Sequence, residues 1–179
     1  MTTVSIIRPF SDKDASQLAQ VFHLSVNQGS SSHYNEQQRA AWSPKIRSEQ
    51  IWLERLAGTY TWVAEIEQKV IGFINLKRVS GFDFAKSVES AKSNGGIVLS
   101  AEIDCLFVHP DYTGVGAASN LYQVLEAKAL SIGLVQLTVE ASYLAKPFFE
   151  RFGFHATRQN SHQRGEQVLV NFSMSKALV

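Results

Sequence analysis

A chain of 179 residues, 45% hydrophobic and 18% charged, fits one domain over 1–179 and carries enough apolar material to bury its own core without disulfides or structural metal. Seventeen Lys+Arg against sixteen Asp+Glu leave a net charge of +1, which provides no broad electrostatic footprint for nucleic acid or an anionic membrane. The single cysteine, Cys105, excludes an intrachain disulfide and a multi-thiolate metal site. No run approaches the roughly 18 uninterrupted apolar residues of a membrane span, and the start MTTVSIIRPFSD lacks a basic region followed by a long apolar stretch, so the expectation is a cytoplasmic protein.

Val4–Arg8 reads as a short strand ended by Pro9, and Ser11 with two acids in the next turn opens a helix that runs at helical spacing to about Asn27. The polar stretch 28–33 breaks it. Asn35 caps a second short helix through Trp42, and Ser48–Leu56 is a third, punctuated by Gly58. Tyr60–Ile66 and Val70–Arg78 read as strands with a hairpin-length connection, and residues 79–96 as an extended surface loop. Ile97–Val108 is the longest strand candidate. Gly116–Ser131 is a helix with Leu121, Val124, Leu125 and Leu130 on one side; Leu134–Val139, Phe154–Arg158 and Val168–Met174 are strands, with a helix over Ser142–Arg151. The unit Ile97–Val139, strand then helix then strand, pairs its strands in parallel through a right-handed crossover. The hairpin before it is antiparallel. The fold class is therefore α/β (α+β), a mixed and mostly antiparallel sheet of about six or seven strands flanked by helices.

One stretch carries the chemistry. From Cys105 to Asn120 a buried strand runs through His109-Pro110-Asp111 into Thr113-Gly114-Val115-Gly116-Ala117-Ala118, where small residues open a helix. Glycine lets a ligand approach the backbone, and the unpaired amides and dipole of a helix N-terminus favour a phosphate. A tight turn without a ligand reads equally well from glycines alone. A dinucleotide fingerprint fails because Asn120 stands where a third glycine belongs, and a P-loop fails because no Gly-Lys-Ser/Thr follows.

This segment resembles the pyrophosphate loop of the GCN5-related N-acetyltransferases, the GNAT superfamily, whose pattern is Gln/Arg-x-x-Gly-x-Gly/Ala. Thr113 departs from the usual Gln or Arg, so the resemblance keeps the backbone cradle rather than a side-chain contact. Phe107–Tyr112 is typical of the family's fourth strand and its exit, and Ala145–Phe154 resembles its A-x-x-x-Y-x-x-x-G-F block. Tyr34, Ala41-Trp42, Val139–Ser142 and Asn171–Lys176 look closer to the bacterial YafP-like branch, relative to which 79–96 looks like an insertion. The resemblance covers nearly the whole chain in element order. It implies a splay between two parallel strands that holds acetyl-CoA, with the pantetheine arm against Leu106, Phe107 and Val108, and with Ser142, Ala145 and Phe149 alongside. The pyrophosphate would lie on the amides of Thr113–Ala118, and an amide near Leu106 or Phe107 would stabilise a developing oxyanion.

An alkyl amine with a pKa near 10.4 is only about 0.04% neutral at pH 7, so attack on a thioester requires proton removal. Strand alternation puts Glu102, Asp104 and Leu106 on one face, and the resemblance implies either Glu102 or Asp104 as the base, against a purely structural salt bridge. The family's usual acid is a tyrosine at the position of Phe149, which has no proton to give; Tyr143 and Tyr34 are the alternatives, against packing roles for both. Ser142 either touches the ligand or caps a helix, and Glu140 either binds substrate or caps the sheet. The resemblance implies that Tyr34 and Trp42 line the acceptor side. The five histidines show no metal-ligand spacing with acids, so no metal is implied. Cys105 is expected buried and inert, alternating away from Asp104. The reading is an acetyl-CoA-dependent N-acetyltransferase acting on a small-molecule amine, or a peptide, by direct attack in a ternary complex. The alternative is a non-catalytic CoA-binding or sensor module. Homodimers are common in the family, and nothing in the sequence specifies an interface.

Overall fold

The parallel strand–helix–strand unit read over 97–139 organises the molecule. The computed structural model describes residues 5–78 and 99–178, so the loop read over 79–96 lies outside the described residues. In it β4 (Ser100–Val108) feeds α4 (Ala117–Ser131), which returns the chain to β5 (Gln136–Ser142). Ser100 to Ile103 pair in parallel with Gln136 to Val139. Around this unit β1 (Ile6–Pro9), β2 (Tyr60–Ile66) and β3 (Lys69–Leu76) lie on one side, and β6 (His155–Arg164) and β7 (Gln167–Ala177) on the other. The sheet has seven strands in the order β1-β2-β3-β4-β5-β7-β6, and every pair except β4/β5 is antiparallel.

Both faces of the sheet are covered. On one, Leu121, Tyr122, Leu125 and Ala129 of α4 and Phe149 of α5 (Lys146–Arg151) pack on Ile71, Ile74, Ile103 and Leu137. On the other, α1 (Ala15–Leu24) and α3 (Glu49–Leu56) bring Leu18, Phe22 and Trp52 onto Val63, Phe73 and Cys105. The short helix α2 (Glu36–Trp42) starts at Asn35, whose side-chain oxygen accepts from the Gln38 amide at 2.8 Å while Gln38 Oε1 accepts from the Asn35 amide at 3.0 Å. That reciprocal pair stops fraying at an end the sequence marks plainly.

Several boundaries differ from the sequence expectation for physical reasons. Leu130 is exposed, and Tyr122 and Ala129 take the buried stripe of α4. The α5 helix begins at Lys146, because Ser142 still belongs to β5 and its Oγ accepts from the Ala145 amide across a turn. The last two strands are much longer than read: Gly165 (φ +58°) closes one hairpin in which Arg164 pairs with Gln167. The residues of β6 are almost all exposed, so no burial pattern announces them. No helix among the described residues is long and apolar enough to cross a membrane.

Candidate active site

β4 and β5 part after Ile103 and Val139, the last paired residues of the ladder. Beyond that point β4 keeps β3 on one side and has no β5 partner on the other, so a stretch of strand edge from Asp104 to Val108 is left open. The gap is a cleft lined by Asp104, Leu106 and Phe107 of β4, by Glu140 and Ser142 of β5, and by Ala145 and Phe149 beyond it; Trp42 closes one side. An unpaired strand edge is a template for an extended ligand with its own amides.

A β-bulge shapes the mouth of this cleft. Asn75 pairs with Cys105 and Leu76 with Ile103, which leaves Asp104 without a partner residue. A bulge resets alternation. Glu102 and Asp104 do share a face, since Lys77 Nζ reaches both, at 3.0 and 3.5 Å. Leu106, however, packs with Ile103 on the α4 face, and Cys105 joins Asp104 on the α1/α3 face, its Sγ 3.5 Å from Asp104 Oδ2. The even alternation read from the sequence therefore fails at Asp104, while Cys105 is buried as read.

Past Val108, one turn of 3₁₀ helix (Pro110–Tyr112) leads into the glycine loop. Gly114 and Gly116 have φ of +79° and +84°, and an added Cβ at either would meet nothing within 4 Å. Only glycine adopts this backbone without strain, and it turns the first amides of the fifteen-residue α4 outward. Val115 is exposed between them.

A second cavity, of about 170 Å³, adjoins the first. It is lined by Tyr34, Trp42, Glu140 and Ser142, and by His162 and Arg164 of β6 with Leu169 and Asn171 of β7. Trp42, Glu140 and Ser142 thus border both cavities. Glu140 is held by neutral donors: Ser173 Oγ donates to Oε1 at 2.7 Å and Asn160 Nδ2 to Oε2 at 2.9 Å. Tyr34 is buried, its ring 5.5 Å from that of Trp42. Its hydroxyl donates to the Val170 carbonyl and accepts from the Tyr143 amide, both at 3.1 Å, which ties β5 to β7. Burial raises its pKa.

The remaining candidates are placed differently. Glu102 is paired with Thr138 below the splay and lines neither cavity. Asp104 borders the cleft, but Arg55 of α3 holds both its oxygens, at 3.0 and 3.1 Å. Tyr143 lines neither cavity; its ring lies against Phe172 at 5.2 Å. Phe149 is buried in an aromatic cluster with Tyr122, Phe148 and Phe154. His162 and Arg164 were not anticipated. The Arg-Gly-Glu turn at 164–166 is the one local signal that would have doubled back the last strands and brought them here.

A parallel pair that splays beside a glycine-rich helix start is the architecture of an acyl-CoA-type transferase. The chain matches the acetyltransferase (GNAT) domain model over residues 30–177 and belongs to that family. It is 36% identical over 168 residues to an uncharacterised N-acetyltransferase of Escherichia coli K12, YafP, covering 94% of this chain and 93% of that one. Among solved structures, a GCN5-related N-acetyltransferase from Rhodopseudomonas palustris is similar at TM-score 0.78 and 29% identity, over 99% of this chain and 98% of that one. The PaiA N-acetyltransferase of Thermoplasma acidophilum, solved in complex with coenzyme A, shares the fold at TM-score 0.71 and 20% identity, over 97% and 98% of the two chains. The protein is an N-acetyltransferase.

Proposed function

We propose that this enzyme moves the acetyl group of acetyl-CoA to the amine of a small molecule by direct attack within one ternary complex. The observation that carries this reading is the shared wall of the two cavities: Trp42, Glu140 and Ser142 border both, so an amine in one reaches a ligand in the other.

Acetyl-CoA supplies an acyl group activated as a thioester. The open edge of β4 at Leu106, Phe107 and Val108 pairs with its amide arm, between Ser142, Ala145 and Phe149. The amides of Thr113 to Ala118 receive its pyrophosphate, with Gly114 and Gly116 supplying the open approach. An amide at Leu106 or Phe107 donates to the oxygen on which negative charge develops.

Glu140 is the carboxylate best placed to hold the acceptor ammonium and take its proton, directly or through water. Its oxygens are oriented by Ser173 and Asn160, with no cation competing among the described residues. Glu102 and Asp104, the acids favoured by resemblance, spend their charge on Lys77 and Arg55 and act by fixing the bulge. Tyr34 gives its proton to Val170, and Tyr143 faces Phe172, so a thiolate with a pKa near that of cysteine, about 8.5, leaves without a phenol to protonate it.

Thermal unfolding with acetyl-CoA, and with ATP and NAD as controls, tests the cleft; an amine panel with Glu140→Gln tests the chemistry. The expected results are stabilisation by acetyl-CoA alone and a loss in kcat/KM of about 10²-fold in the variant, with stabilisation by acetyl-CoA retained. A folded protein that acetyl-CoA does not stabilise overturns the cleft. A Glu140→Gln enzyme within about threefold of wild type returns the base to Glu102 or Asp104.

A further inference from the structure

We propose that the acceptor carries an anionic group, a carboxylate, several bonds from its reactive nitrogen, and that Arg164 selects it. This rests on the acetyltransferase reading above and adds the substrate class.

The acceptor pocket has two unlike ends. Glu140, Ser142 and Trp42 also border the cleft, Arg164 lies farthest from it along the strands, and His162, bonded to the Asn171 that pairs with Ser142, stands between. The register sets their spacing. Glu140 pairs with Ser173 of β7, whereas His162 faces Leu169 and Arg164 faces Gln167. At about 3.3 Å per residue those positions are roughly 13 and 20 Å along the strand from Ser173, and the long Arg164 side chain folds back to line the same cavity. A ligand whose amine meets Glu140 therefore presents the cationic end with a group some way down its chain.

The charges at that end are unbalanced. Among the described residues Arg164 has no carboxylate partner, although Glu166 is two positions away. His162 Nε2 is within 3.1 Å of Asn171 Oδ1, which orients the ring on the same wall. Arg47, stacked 4.9 Å over Phe22 in the loop before α3, also lacks a carboxylate partner among the described residues. Burial, and then the charge of Arg55, holds its pKa below the ordinary value. A guanidinium fork without a carboxylate partner is suited to receive an incoming carboxylate bidentately. An anionic end on the acceptor uses that fork, while a purely apolar amine would leave it unpaired.

The test compares kcat/KM for γ-aminobutyrate, δ-aminovalerate and ε-aminocaproate, each against its own primary amide, which matches it in size without the charge. At the best length the acid is expected to exceed the amide by about tenfold or more, and Arg164→Gln to bring the ratio close to one. Acids and amides used equally by wild type, or a ratio unchanged in Arg164→Gln, overturns the proposal. If none of these amines turns over, thermal unfolding with CoA and ε-aminocaproate decides: stabilisation lost with the amide and in Arg164→Gln supports it, and no stabilisation overturns it. Phenethylamine separates the two readings. Turnover of this neutral-tailed amine without any preference for acids leaves the acetyltransferase standing and removes Arg164's role. No turnover of any amine, with no stabilisation by acetyl-CoA, sinks both.

Discussion

Arg55 grips both carboxylate oxygens of Asp104 on the α1/α3 face of the sheet, Nε to Oδ2 at 3.0 Å and Nη2 to Oδ1 at 3.1 Å, and so pins α3 to the one residue of β4 that has no partner in the ladder. Burial alone would raise the Asp104 carboxyl. The hydrogen bonds and charge of Arg55, with the charge of Lys77, reverse this and hold it below the ordinary carboxylate value. A carboxyl depressed in the folded state stabilises the fold above its unfolded pKa, about 3.9, and that stabilisation is lost as pH falls through the folded value. Wild type is therefore expected to lose stability more steeply than Asp104→Asn below about pH 4. Arg55→Met should cost about 1–2 kcal/mol at neutral pH, moderated because the guanidinium is partly exposed, and should flatten the same slope. Urea denaturation across pH measures both; parallel curves for wild type and Asp104→Asn would show the pair to be energetically idle.

Gly116 separates a backbone effect from a ligand effect. Its φ of +84° and the open space at its Cβ position mean that alanine meets no atom but pays about 1–2 kcal/mol for a left-handed backbone. Gly116→Glu adds charge and bulk where phosphate is expected. The first variant should melt lower; the second should also lose the stabilisation by acetyl-CoA, about 2.7 kcal/mol at a hundredfold excess over Kd. Thermal unfolding with and without acetyl-CoA reads the two, and full stabilisation of Gly116→Glu would move the phosphates elsewhere.

Cys105 should be silent. Burial pushes its thiol far above the usual range, and the neighbouring Asp104 carboxylate opposes ionisation. Titration with a chromogenic disulfide at about pH 8 is expected to find no reactive thiol in the native protein and one equivalent in denaturant. Fast native labelling would mean that the β4 bulge opens in solution.

The turn between β2 and β3 holds two non-glycine residues, Glu67 and Gln68, at φ of +49° and +67°. Two-residue hairpins demand this conformation, and glycine is its natural occupant at the second position. Gln68→Gly should stabilise by about 0.5–1 kcal/mol, the left-handed penalty less the extra entropy of a free glycine. Chemical denaturation checks it, and a loss of stability would show that the Gln68 side chain contributes a contact in the folded state.

Much of the fold was legible because its signals are local. Helical spacing from Leu121 to Leu125, the cap at Asn35 and the hairpin after Ile66 each depend on residues a few positions apart. The glycine loop before Ala117 was legible for the same reason, since a left-handed φ and a helix start are properties of the chain itself. The length of β6 was not, because its polar residues form an exposed edge where burial imposes no alternation.

The sequence by itself determined the kind and order of the elements, which strands flank the crossover helix, and which glycine loop opens it. Tertiary structure alone decided the rest. A bulge is a mismatch between two strands, so the face taken by Cys105 and Leu106 depends on how β4 meets Asn75 and Leu76. The joining of Trp42, Glu140 and Arg164 in one pocket depends on register summed across β5, β7 and β6. Local periodicity is carried by neighbouring residues, whereas register is settled by the burial and pairing of segments far apart in the chain, and only the folded sheet contains that information.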